Sequence, residues 1–255
     1  MQKLPVLISI PHGGMLIPEE LKNKIIIGKE EIFEDIDPYT QEIYNLKDKV
    51  ITVFKTDIAR TFVDLSRAAD DRPPQNPDGV IKSHTCFGKK IFRENEQPDS
   101  LLINQLLEKY YHPYHYHLRN YIEKNKYEIQ LCLDCHTMAE TGPAISPDTG
   151  ARRPLICLGN RFGKTAPNEL IEKLKRSFTK IFNLDEKQVA INEPFAGGFI
   201  TRNYGNNPLP WIQVEMNRSF YLADLFFNPD NLTVREERLA ELKNKFYRTL
   251  QNFFP

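Results

Sequence analysis

The sequence predicts an α/β layered fold, and three observations predict it. Strand-like apolar runs recur along the chain, helical patterns fill several of the gaps between them, and no repeat or linker divides the 255 residues. The runs lie at Pro5–Pro11, Val50–Lys55, Glu128–Asp134, Pro154–Leu158 and Pro210–Glu215. Between the fourth and fifth, Asn168–Phe182 places Leu170, Ile171, Leu174, Phe178, Ile181 and Phe182 on one helical face behind an Asn cap. The last stretch opens with an apparent capping box, Thr233 and Glu236. It then sets Leu239, Leu242, Phe246 and Leu250 on one stripe. Residues 101–126 are helical in pattern, with Pro113 expected to kink or divide them. The stretch 68–100, rich in Pro, Asp, Asn and Gly, predicts a long excursion over the surface. A single domain spanning 1–255 is expected.

Composition narrows the function. Thirty-four basic residues balance thirty-four acidic ones, so no global field points to nucleic acid or an anionic membrane. No apolar run approaches the roughly 18 residues of a membrane helix, and the first residues lack a signal-peptide pattern. A soluble, cytoplasmic protein is expected. The four cysteines include a CxxC pair, Cys132 and Cys135, but strand alternation puts these two on opposite faces. Reduced, mostly buried thiols are the expectation.

Chemistry concentrates where strands stop. The segment "LISIPHGG" ends a strand on His12 beside Gly13 and Gly14, which admit a ligand or another backbone closely. In "LCLDCHTM", Asp134 and His136 sit two apart and share a face if the strand continues, either a carboxylate placed to orient an imidazole or a capping Asp with a solvent-facing His. "EDIDPYTQEIY" supplies Asp35 and Asp37, as helix caps or as an oxygen ligand completing a His/His/carboxylate metal triad. "WIQVEMNR" ends a strand on Glu215, either a general base or a partner of Arg218. Arg60 and Arg67 flank the apolar part of "ARTFVDLSR" and suit capture of a carboxylate. Gly197, Gly198 and Arg202 in "AGGFITRNYG" read as a loop closing around a small ligand or as a simple turn.

These pieces, in this order and together with "PYHYHL", resemble the N-formylglutamate amidohydrolase family over residues 9–218. The resemblance implies a three-layer fold, a mixed central sheet flanked by helices, similar to zinc carboxypeptidases. It implies a zinc-dependent hydrolase of an N-acylated amino acid, N-formyl-L-glutamate first, with one zinc per chain. His12 and His136 would be zinc ligands, with Asp37 as the third and Asp35 as its rival. Glu215 would be the general base and Arg60 an oxyanion stabiliser. Arg67 would hold a substrate carboxylate, although Ser66 stands where zinc carboxypeptidases carry Asn, and Arg202 would take a second carboxylate. His115 matches the family's "PYH" pattern, but its helical setting favours a structural role. Two alternatives remain: a metallohydrolase of another acyl amino acid or small peptide, and a non-catalytic small-molecule binder that has no need of this residue set.

Overall fold

The structure, a computed structural model, describes residues 2–144 and 146–254. Six strands form one mixed sheet: β1 (Leu4–Ile10), β2 (Val50–Lys55), β3 (Leu131–Met138), β4 (Ile156–Gly159), β5 (Val189–Ile191) and β6 (Trp211–Asn217). Their spatial order is β2-β1-β3-β6-β4-β5. All neighbours are parallel except β4 and β6, which run antiparallel.

Alternation along the strands divides the core in two. Val6, Ile8 and Ile10 of β1, Leu133 and Cys135 of β3 and Val214 of β6 join one apolar cluster. It also contains residues of α2 (Thr40–Tyr44), α5 (Asn168–Phe182) and α8 (Glu236–Phe253). Leu7, Cys132 and Trp211 point the other way. There they meet α3 (Ser100–Leu106), α4 (His112–Asn125), α6 (Phe199–Tyr204) and the segment around residues 58–92. Burial on both faces explains why the central strands read as nearly continuous apolar runs. Two further short helices are α1 (Lys29–Asp35) and α7 (Ser219–Leu222), and β7 (Phe227–Asn228) pairs with β8 (Thr233–Val234) apart from the main sheet.

Several sequence expectations are corrected. β3 reaches Met138 and β6 reaches Asn217, so His136 and Glu215 lie inside strands rather than at their ends. Polarity suggested termini there, but both side chains are buried, Glu215 beside Gln213 and His136 beside Asp37. Asn168 is the first residue of α5 and caps nothing; its Oδ1 accepts from Asn160 Nδ2 at 3.0 Å. Thr233 belongs to β8, and α8 starts after Arg235, so no capping box forms. Pro113 does not divide its helix, because one π-helical turn, Leu107–Tyr111, joins α3 to α4 and absorbs the missing donor. The 68–100 stretch is no surface excursion throughout: Val80, Ile81, Ile91 and Phe92 are buried in the second cluster, and Lys82 is buried beside them. The four thiols are free, and Cys132 and Cys135 join opposite clusters. Among the described residues no helix is long and apolar enough to cross a membrane.

Candidate metal centre and active-site cavity

The chain leaves β1 for β2 on one side and returns to β3 on the other. The carboxyl ends of β1 and β3 are therefore a topological switch point, where open α/β sheets place ligands. A cavity of about 1030 Å³ opens there. His12 follows β1 by two residues, and both it and His136 are almost fully buried. The parallel register sets His136 directly beside Glu215. Gly13 and Gly14 admit protein rather than ligand: a Cβ at Gly14 would collide with the Asp57 backbone, and one at Gly13 would meet Thr40 Oγ1 at 2.5 Å.

Asp37 arrives from the turn before α2 and brings its Oδ2 to 3.1 Å from His136 Nδ1 and 3.4 Å from His12 Nδ1. The two Nδ1 atoms are 3.0 Å apart. Each ring has a carboxylate behind it: His12 Nε2 is 2.7 Å from Asp64 Oδ1, and His136 Nε2 is 3.1 Å from Asp134 Oδ1, the latter without good hydrogen-bond alignment. With the Nε2 proton of each ring on the side of the carboxylate behind it, Nδ1 is the atom left to offer a lone pair inward when a cation takes the place of the ring's second proton. One potential ligand atom from each of His12, His136 and Asp37 lies within 4.8 Å of the other two. This donor set fits a divalent ion that takes imidazole and carboxylate ligands, and carboxylate-backed histidines are the usual support of such a site. The field is consistent with that fit. Burial lowers the affinity of His136 for a proton, yet Asp134, Asp37 and Glu215 outweigh it and hold the ring well above the usual imidazole range.

Geometry separates the two rival aspartates. Asp35 faces away from the histidines, accepting from Thr61 Oγ1 at 2.8 Å and Cys86 N–H at 2.6 Å and pairing with Lys82 Nζ at 3.1 Å. Glu215 is buried and accepts from Gln213 Nε2 at 2.7 Å. Burial, reinforced by Asp37, raises its carboxyl to about 7 against the opposing pull of His136. Arg218 does not pair with Glu215. Its Nη2 instead reaches Asp37 Oδ1 at 3.1 Å and the Ile36 carbonyl.

The arginines differ in how free they are. Arg60 is held by Asp64 at 3.0 Å and comes within 3.8 Å of Asp37 Oδ1. Arg67 lines the cavity, but its Nη2 is bound by Asp78. Arg202 is exposed on α6, lies over Phe199, and makes no ion pair among the described residues. Gly197 has φ +131°, and Gly198 N–H donates to Gln213 Oε1. A Cβ on Gly198 would press on Ser66 Oγ at 2.9 Å, so this loop seals against the turn that carries Ser66. His115 lies outside the ligand cluster: its Nε2 contacts the Leu65 carbonyl at 3.0 Å and its Nδ1 the Tyr204 hydroxyl at 2.9 Å. His84 lines the cavity rim.

Sequence reasoning missed Asp64, Gln213, Asp78 and Lys82. Asp64 carried a faint signal as the one acid inside the "TFVDLSR" run, and Gln213 shares the face of Glu215 by alternation. Nothing in the local sequence marks Asp78 or Lys82.

Buried candidate ligand atoms, backing carboxylates and a neutral-range carboxyl gathered at a switch point fit the cavity of an α/β hydrolase. More narrowly, the model of the N-formylglutamate amidohydrolase family matches residues 4–222, and the chain belongs to that family. A curated relative, the N-formylglutamate deformylase of Pseudomonas putida, is 24% identical over 229 residues, covering 87% of this chain and 83% of that one. Among solved structures, the N-formylglutamate amidohydrolase of Ralstonia eutropha JMP134 superposes with a TM-score of 0.81 at 19% identity, covering 100% of this chain and 94% of that one. A gene product of Agrobacterium tumefaciens gives 0.68 at 12% identity, covering 99% and 91%.

Proposed function

We propose that this protein hydrolyses N-formyl-L-glutamate to formate and L-glutamate, with a zinc ion held by His12, Asp37 and His136. The observation that supports it is the inward convergence of those three ligand atoms, in a chain of this family. Zinc, when bound, supplies Lewis acidity and makes water a nucleophile near neutral pH. The remaining work belongs to the chain. Glu215 takes a proton from the attacking water and passes it to the amide nitrogen as the C–N bond breaks. A carboxyl raised to about 7 by burial suits both directions of that transfer. Gln213 donates to Glu215 Oε1 and fixes the carboxylate plane, leaving the second oxygen for the proton. Arg60, held in place by Asp64, offers positive charge to the oxygen that becomes anionic when water adds to the formyl carbon. Arg67 and Arg202 take the substrate's carboxylates, and the Gly197–Gly198 loop closes the cavity wall beside them.

The test joins metal content to formate release. About one zinc per chain, lost in His12→Ala, is expected together with turnover of N-formylglutamate. Glu215→Gln should keep its metal and lose about 10²- to 10⁴-fold in kcat. Normal turnover by Glu215→Gln, or by metal-free protein, would refute the reading. The cavity volume of about 1030 Å³ also favours testing a second class of substrate, longer N-acyl amino acids and small peptides. Higher kcat/KM for one of these would move the substrate assignment while leaving the reaction type.

A further inference from the structure

We infer that Asp78 is a specificity-determining residue: it competes with a ligand's carboxylate for Arg67, and Lys82 holds it in position to do so. The inference rests on the proposed role of Arg67 as a carboxylate anchor. Every nitrogen of that guanidinium already faces an acid. Nη2 is 2.5 Å from Asp78 Oδ2, Nη1 is 3.8 Å from Asp71 Oδ2, and Nε is 3.9 Å from Asp64 Oδ2. A carboxylate arriving at Arg67 therefore meets a cation that is already neutralised, and it has to take the Nη2 edge from Asp78. Arg202, with no ion pair among the described residues, sets no such requirement.

Asp78 can yield that edge without becoming an orphaned charge. Its other oxygen lies 2.8 Å from Lys82 Nζ, without hydrogen-bond alignment, and Arg60 Nη2 stands 4.0 Å away. The Lys82 side chain is fully buried and is anchored on its far side by Asp35 at 3.1 Å. When a ligand displaces Asp78 from Arg67, Asp78 keeps Lys82, so one ion pair is exchanged for another. A planar carboxylate can win this exchange by binding the guanidinium in two places, whereas an amide, ester or hydroxyl cannot. Asp78 thus acts against neutral ligands at the Arg67 end of the cavity, by occupying the anchor that weak binders would otherwise share. Apart from Asp78 itself, the groups facing Arg67 are Asp64 and Asp71, and neither of those bridges to a second cation other than Arg60.

The experiment measures glutarate binding to the zinc-loaded full chain by calorimetry, in wild type, Asp78→Asn, Asp71→Asn and Arg67→Ala. Removing a partly exposed competing charge should tighten glutarate about fivefold in Asp78→Asn. The KM for N-formylglutamate should fall by a similar factor, with a smaller change in kcat. Asp71→Asn, which removes a cavity charge but no close contact, should change binding less. Unchanged or weaker binding in Asp78→Asn overturns the inference, as does equal tightening in both aspartate variants, which would be a field effect. If Asp78→Asn does not fold, Asp78→Ser makes the same comparison. Arg67→Ala separates the two levels. Weakened glutarate binding there with no gain in Asp78→Asn defeats the competition alone. No weakening there defeats the Arg67 assignment under the proposed function.

Discussion

Lowering the pH should cost this protein stability through one buried ring. His115 sits in α4, 7% exposed, with Nε2 at 3.0 Å from the Leu65 carbonyl and Nδ1 at 2.9 Å from the Tyr204 hydroxyl. A carbonyl only accepts, so the ring's proton is on Nε2, and Nδ1 accepts from Tyr204. Burial depresses its affinity for a second proton, against the opposing Leu65 contact, and lowers its pKa from 6.5 to about 4. Between those values the unfolded chain binds a proton that the folded chain refuses. Stability from this group is therefore complete above about pH 6.5 and is lost as pH falls toward 4. A difference of about 2.5 pKa units corresponds to roughly 3 kcal/mol, a large part of a domain's net stability. The assay is urea unfolding of wild type and His115→Gln at pH values across that window, at matched metal loading. Gln keeps a donor for Leu65 and does not titrate. Other groups contribute the same slope to both proteins, so the difference between the two curves isolates the ring. The gap should close by about 3 kcal/mol from pH 7 to pH 4. Parallel curves would refute the burial argument.

Asp64→Asn removes the charge behind His12 while keeping its shape, and should weaken zinc binding about 10- to 100-fold in a chelator competition. Lys82→Met strips Asp35 and Asp78 of a shared, buried cation, and denaturant unfolding should show a loss of about 3–5 kcal/mol. Gly14→Ala places a methyl against the Asp57 backbone and should cost about 1–3 kcal/mol in the same assay, whereas Gly88→Ala, which meets nothing within 4 Å, is strained only by its positive φ.

How far the site could be read in advance depended on whether its determinants were local. Strand alternation is local, and it correctly put Asp134 with His136 on one face and Cys132 opposite Cys135. The two glycines after His12 announced a close approach without saying by what, because the intruding chain, Thr40 and Asp57, is far along the sequence. The pairing of Asp35 with Lys82 rather than with the histidines was illegible for the same reason. It requires the 68–100 stretch to turn inward, and the polar composition of that stretch argued for solvent. Its Val80, Ile81 and Lys82 nevertheless share one buried run, the lysine neutralised by two aspartates that a composition count treats as surface charge. The same physics misplaced the strand ends. Polarity at Asp134, His136 and Glu215 suggested strand ends, yet these groups are inside the sheet, where Glu215 accepts from Gln213, Asp134 from Thr201, and His136 stands beside Asp37. The charged residues that broke the burial pattern are grouped with partners, Lys82 with Asp35 and Asp78 and His12 with Asp64 and Asp37, since the cost of burying a charge is tolerated where a partner compensates it.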